Sequence, residues 1–222
     1  AAVDPAAVKA LEAMSAHLRG LKSFQVESST STDEVLSNGL VLTYSANVNF
    51  LVQMPNRVRV DVTSDRNDRR YQFDGKSFTL YARRVGYYAT VPAPATLREL
   101  DDVLADKYGI ELPLADLFRF GSPRWNAAGI TVAKDVGPSE VGGTSCQHYA
   151  FRQGDIDYQI WIQKGEFPLP RQIVITTTSD PARPQFRATY QWNLAPSFND
   201  AELTFVAPAD ANRIALAAVS LK

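Results

Sequence analysis

The chain has 222 residues, 45% hydrophobic and 21% charged, with a formal net charge of −1. This is an ordinary globular composition, long enough to bury a full core, and its balanced charge gives no electrostatic reason to expect nucleic acid or an anionic membrane surface as partner. The single cysteine, Cys146, excludes an intramolecular disulfide, and no apolar run approaches the roughly 18 residues that a membrane helix needs.

The sequence opens Ala1-Ala2-Val3-Asp4-Pro5 with no initiator Met. Such a small-residue opening is what signal-peptide cleavage leaves behind, so an exported, periplasmic protein is expected. Asp4-Pro5 is a helix start, with a capping carboxylate and proline at the first helical position. Val8, Leu11, Met14 or Ser15, Leu18 and Leu21 follow at three-to-four spacing, which predicts an amphipathic helix stopping near Gly20.

Strands are predicted from there on. Phe24 to Thr32 reads as the first, followed by a polar turn over Asp33 to Gly39. The next is long, because Leu40, Leu42, Tyr44, Ala46, Val48, Phe50, Val52 and Met54 all fall on one face. Pro55-Asn56 turns it into a strand with Val58, Val60 and Val62 on one face and Arg57, Arg59 and Asp61 on the other. A hairpin turning on Asp74-Gly75 carries Tyr71 and Phe73 on one arm and Phe78 and Leu80 on the other. Tyr87 to Val91 completes this meander before Pro92 and Pro94 end it.

A helical passage interrupts the strands. Thr96-Leu97-Arg98-Glu99 is a capping box, and Leu97, Leu100, Val103 and Leu104 form its apolar stripe, ending near Tyr108-Gly109. A shorter helix is expected after Leu112-Pro113, carrying Leu114, Leu117 and Phe118. Strands resume at about 130–137, 141–151, 155–164, 170–178 and 185–194, with Ile156, Tyr158, Ile160 and Ile162 sharing one face and Phe186, Ala188, Tyr190 and Trp192 another. Leu203-Thr204-Phe205 reads as a last short strand before Pro208. No break resembles a linker, so residues 1–222 are read as one domain. The expected fold is mainly β with α: a single antiparallel sheet of roughly ten strands, curled by strand twist into an unclosed half β-barrel under the N-terminal helix and a central helical lid.

Catalytic motifs are lacking. Cys146 and His148 share a strand face, but a metal site needs further ligands at suitable spacing, so neither a metal nor a catalytic residue is expected. Asp101-Asp102 and the pair Asp155 and Asp157 read as solvated surface. Gly142-Gly143 reads as a hairpin turn and not a phosphate cradle, because no helix follows it. No cofactor is expected and the chain is read as a non-enzyme.

Several of these stretches together resemble the LolA/LolB superfamily of periplasmic lipoprotein carriers. Leu18-Arg-Gly-Leu-Lys-Ser-Phe24 is similar to that family's opening, as is the long strand running into Pro55-Asn56. Asp74-Gly75-Lys76 before an aromatic-rich strand and Asp200-Ala-Glu-Leu-Thr-Phe-Val-Ala-Pro208 are similar to its hairpin and its close. More narrowly, the chain resembles predicted exported bacterial proteins of that superfamily whose function is unassigned. The resemblance implies a hydrophobic cavity between sheet and lid. It also places Met54 where the carrier has an arginine involved in lid movement, and Leu18 at a leucine of the carrier's first helix.

The expected ligand-binding residues are therefore Leu18, Phe50, Met54, Val58, Val60, Phe73, Phe78, Leu80, Leu100, Leu104, Leu117, Phe118, Tyr158, Ile160, Tyr190 and Trp192. The expected partner is a lipid, acyl chain or other hydrophobic small molecule, held by a monomer. The alternative is a sensor or scaffold module that docks an envelope protein, through an edge or a surface such as Arg83-Arg84 and Tyr87-Tyr88.

Overall fold

The structure, a computed structural model, describes residues 2–112, 117 and 127–219. Helix α1 spans Pro5–Gly20. Asp4 caps it, its Oδ1 accepting from the Ala6 N–H at 2.8 Å. Its buried residues Ala7, Leu11, Met14, Ser15 and Leu18 recur at helical spacing. Strands β1 (Ser23–Val35) and β2 (Val41–Gln53) follow, then the meander β3 (Arg57–Thr63), β4 (Asp68–Phe73), β5 (Ser77–Ala82) and β6 (Tyr87–Pro92). Helix α2 (Leu97–Val103) runs directly into a π turn over Leu104–Tyr108. Five strands come next: β7 (Ile130–Val141), β8 (Thr144–Gln153), β9 (Ile156–Gln163), β10 (Pro170–Thr177) and β11 (Gln185–Asn193); β12 (Asn212–Arg213) is the last.

The twelve strands hydrogen-bond in the order β12-β6-β5-β4-β3-β2-β1-β11-β10-β9-β8-β7, an open order with β12 and β7 at its ends. The expected mainly β fold, with an unclosed sheet and accompanying helices, is what the structure has, but the sheet is not wholly antiparallel, because β12 pairs with β6 in parallel. Several boundaries are corrected; β1 runs to Val35, into the turn expected over Asp33 to Gly39, and β7 runs to Val141. The long second strand stops at Gln53, leaving Met54 in the following turn. The closing strand expected over Leu203–Phe205 is instead a 3-10 turn over Asp200–Leu203. Asn199 and Glu202 form a reciprocal cap there, each side chain accepting from the other's backbone N–H at 3.1 and 2.8 Å, which outweighs the short apolar alternation. Of the helix expected after Leu112-Pro113, only Leu117, fully buried, lies within the described residues; Leu114 and Phe118 lie outside them.

The chain clusters into two compact units, with β1 and β2 contributing to both. The first comprises Ala1–Gly20, Ser28–Ala46 and Asp116–Gln191. Its strands pair so that like residues stand in rows: Ala133 opposite Phe151, opposite Tyr158, opposite Ile175, and beside it Tyr149, Ile160, Ile173 and Ala188. Phe151 and Tyr158 stack with ring centroids 5.0 Å apart. Residues before α1 tie onto β7, with the Asp4 N–H donating to the Ala133 carbonyl and the Ala133 N–H to the Ala2 carbonyl, each at 2.9 Å.

The second unit comprises Leu21–Glu27, Asn47–Ala115 and Trp192–Lys222. The two-residue period of β2 to β6 places three rows on one face. They are Val48, Val62, Arg69 and Ala82; Phe50, Val60, Tyr71, Leu80 and Ala89; and Val52, Val58, Phe73, Phe78 and Val91. The last two rows are wholly apolar apart from the tyrosine hydroxyl. A one-residue slip would turn both toward the opposite, polar face, so burial of this side fixes the register.

Candidate ligand-binding site

Helix α2 lies against the apolar face of the second unit. Its start is set by the predicted capping box: the Glu99 N–H donates to Thr96 Oγ1 at 3.4 Å, and Glu99 Oε2 accepts from the Thr96 N–H at 3.2 Å. The Leu97 N–H donates to the Pro55 carbonyl at 3.1 Å, tying the helix start to the turn after β2. The π turn ends at Gly109, whose left-handed backbone (φ 61°) suits glycine. Leu100 and Leu104 are fully buried.

Between α2 and the sheet is a cleft lined by Val58, Val60, Tyr71, Gln72, Phe73, Phe78, Leu97, Leu100 and Leu112. Its volume is about 10 Å³, space for one water at most. The lining is almost wholly apolar, so a water there finds few of the two to four polar partners it needs. Helix and sheet are thus nearly in contact.

Of the residues expected to bind ligand, Val58, Val60, Phe73, Phe78 and Leu100 converge on this cleft. Phe50 and Leu80 share its face, standing in register with Val60 and Tyr71. Leu104 continues the buried side of the arm formed by α2 and its π turn. Trp192 packs on Phe24, ring centroids 5.7 Å apart, in the same unit. Met54 is more than a third exposed in its turn. Leu18, Leu117, Tyr158, Ile160 and Tyr190 are buried in the first unit. Tyr71 and Leu112 line the cleft without having been singled out. Tyr71 was legible from the alternation it shares with Phe73; Leu112 follows the π turn, where no periodicity marks it.

The opposite face of these strands carries charge that is not simply solvated. Asp61 accepts from Arg59 Nε at 2.7 Å, Arg70 Nε at 2.8 Å and Arg83 Nη1 at 2.5 Å. Burial pushes the Asp61 carboxyl up, but hydrogen bonds and charge from Arg70 and Arg59 outweigh it, and the net shift is downward. Arg83 also pairs with Asp68, and Arg84 donates to the Ser64 carbonyl at 2.9 Å and to that of Asp65. Tyr88 packs on Phe205. Of the surface considered for protein docking, Arg83, Arg84 and Tyr88 are engaged within the chain, and Tyr87 is 45% exposed.

Cys146 is fully buried, its Sγ donating to the Thr144 carbonyl, and burial raises its thiol pKa. His148 stacks on Trp161 at 4.0 Å with Nε2 3.0 Å from Gln159 Oε1, and burial lowers its pKa. Among the described residues no three His, Cys, Asp or Glu side chains are grouped to hold a metal ion. No described helix is long and apolar enough to cross a membrane.

An open sheet whose apolar face lies under a short helical arm is thus the frame of the site. The sequence matches the DUF2092 family, predicted periplasmic proteins, over residues 7–217, and the chain belongs to that family. Its place is thus the periplasm, as the sequence led one to expect. A comparison with curated proteins found no match. Among solved structures, the Mycobacterium tuberculosis lipoprotein LppX is similar at 14% identity and TM-score 0.53, over 88% of this chain and 100% of that one. LprF from Mycobacterium bovis is similar at 14% identity and TM-score 0.53, over 96% and 100%. A LolA superfamily protein from Nitrosomonas europaea aligns at 10% identity and TM-score 0.39, over 90% and 97%. At these identities the likeness to LppX and LprF is one of fold alone.

Proposed function

We propose that the protein is a non-enzymatic periplasmic binding protein that takes a lipid, acyl chain or other hydrophobic ligand between α2 and the apolar face of β3 to β5, acting as a monomer and serving as a carrier. The observation behind this reading is the cleft itself: apolar side chains line it from sheet and helix alike, and they leave little free volume between them. A ligand must therefore lift the arm and replace the contacts it gives up.

The energetics bound the ligand. Uncovering Leu100 and Leu104 costs up to about 6 kcal/mol, while each buried methylene returns about 0.8 kcal/mol. An acyl chain of roughly eight methylenes is thus the shortest that offsets opening, and longer chains bind with a surplus. Native mass spectrometry of protein isolated from the periplasm, with organic extraction of bound material, tests the reading. One retained lipid per chain is expected. A ligand-free protein that also fails to bind added fatty acids of graded length would contradict it.

A further inference from the structure

The last described stretch of the chain connects three parts of the second unit. Its root is firmly held on the polar side of the sheet. Asp200 Oδ1 accepts from Arg57 Nη1 at 2.7 Å, and Leu203 is fully buried. The Phe205 ring packs against Tyr81 and Tyr88, with centroids 5.8 and 5.4 Å away. Beyond it the hold weakens. Val206 is 80% exposed. The chain then lies along the edge strand β6 as the two-residue β12, the Asn212 N–H donating to the Gly86 carbonyl at 2.7 Å and the Ile214 N–H to the Tyr88 carbonyl at 2.8 Å. At its far end the Val219 N–H donates to the Lys107 carbonyl at 2.9 Å, inside the π turn that ends the arm. The Val219 methyls stand beside Gly109, where an added Cβ would meet them at 3.5 Å.

We propose that residues 206–219 are a latch that holds the far end of the arm down on the cleft, and that release of this latch is the step that admits a hydrophobic ligand. The second half of that inference rests on the ligand-binding reading above. The two ends of the arm are held unequally. The start of α2 has a capping box and the bond from Leu97 to Pro55. The π turn instead has a late carbonyl, Lys107, satisfied by the latch; terminal carbonyls of a helix otherwise need water or another partner. The latch is also built to let go. Ile214 and Val219 are about half exposed, and its outer end is held by single backbone bonds, the kind of segment that opens locally while the rest of the structure stays folded. Once released, the arm turns about Thr96 and Leu97 while the root at Asp200 to Phe205 stays in place.

Val219→Pro tests this, because proline deletes the N–H that reaches Lys107. Val219→Ala keeps that N–H and serves as the control. Hydrogen exchange is followed over residues 97–110, with association of dodecanoic acid measured in parallel. In the proline variant, exchange over 104–109 is expected to rise about tenfold, the effect of losing one hydrogen bond. Association of dodecanoic acid should speed up by a similar factor, while exchange in α1 stays unchanged. Ile214→Pro, which deletes the bond to Tyr88, should act in the same direction and guards against a fault particular to one site. Unchanged exchange over 104–109 in both proline variants overturns the latch. Faster exchange without dodecanoate binding by any of the proteins upholds the latch and defeats the ligand reading. Faster exchange with an unchanged association rate overturns the latch as the gate.

Discussion

Phe73 and Phe78 stand opposite each other across the β4–β5 hairpin, in register and each 1% exposed, and both line the cleft. The turn between them makes this possible. Asp74 Oδ1 accepts from the Lys76 and Ser77 N–H groups at 2.9 and 2.8 Å, while Gly75 takes a φ of 87°. Four residues of turn chemistry thus set two aromatic side chains into the floor of the site.

Gly75→Ala is accordingly expected to destabilise. A Cβ there lies 2.6 Å from Asn56 Nδ2, and the left-handed backbone disfavours any L side chain. The backbone cost alone is about 1–2 kcal/mol, to be read as a lowered urea midpoint. An unchanged midpoint would contradict this account of the turn.

Phe50 stands in the apolar row and is 7% exposed. Phe50→Asp buries an unpaired charge and should cost about 4 kcal/mol or more, enough to unfold a marginal domain. Arg59 is on the other side of the sheet, where its loss costs far less. Arg59→Ala removes one bond to Asp61 and should cost only about 1 kcal/mol, because Arg70 and Arg83 still hold the carboxylate. Thermal melts of the two variants separate the faces, and equal melting temperatures would show that the faces are misassigned.

Asp61 should also appear in the acid limb of stability. Its folded carboxyl pKa is depressed, so its contribution is fully present above the unfolded carboxyl range, about pH 4. It is lost as pH falls through the folded value. Asp61→Asn is expected to cost about 2 kcal/mol at neutral pH, and to make stability fall less steeply below about pH 4. Parallel acid limbs in the two proteins would remove Asp61 from this role.

On the arm, Leu100→Ala deletes a fully buried contact between α2 and the cleft. A loss of about 2–3 kcal/mol is expected for such a truncation. If that loss appears as opening of the arm and not of the whole sheet, hydrogen exchange rises over 97–110 first, and uptake of a fluorescent fatty acid quickens. Uniformly faster exchange across β2 to β6 would make Leu100 an ordinary core residue.

Where one physical rule acted alone, the sequence was legible. Alternation placed Val58, Val60, Phe73 and Phe78 on one face, and the capping box at Thr96 and Glu99 started α2 at its observed residue. Competing rules hid the rest. The apolar run over Leu203 to Phe205 looked like a strand, but the reciprocal cap of Asn199 and Glu202 took its first residue into a turn. Arg59 and Asp61 alternate like solvated residues; their partners Arg70 and Arg83 come from two later segments, and a local pattern cannot show such pairing. Leu18, Tyr158, Ile160 and Tyr190 carry the same apolar pattern as the cleft residues yet are buried in the first unit. Periodicity marks a buried face without showing what buries it. The two-residue strand β12 lacks any signal, being set by its bonds to β6.

The central claim is that a hydrophobic ligand lies between α2 and the apolar face of β3 to β5. Intermolecular nuclear Overhauser effects between labelled dodecanoic acid and the methyl groups of Val58, Val60 and Leu100 measure this most directly. The account predicts contacts from the acyl chain to all three residues. Saturating ligand that contacts none of them, or only methyl groups of the first unit, would contradict it.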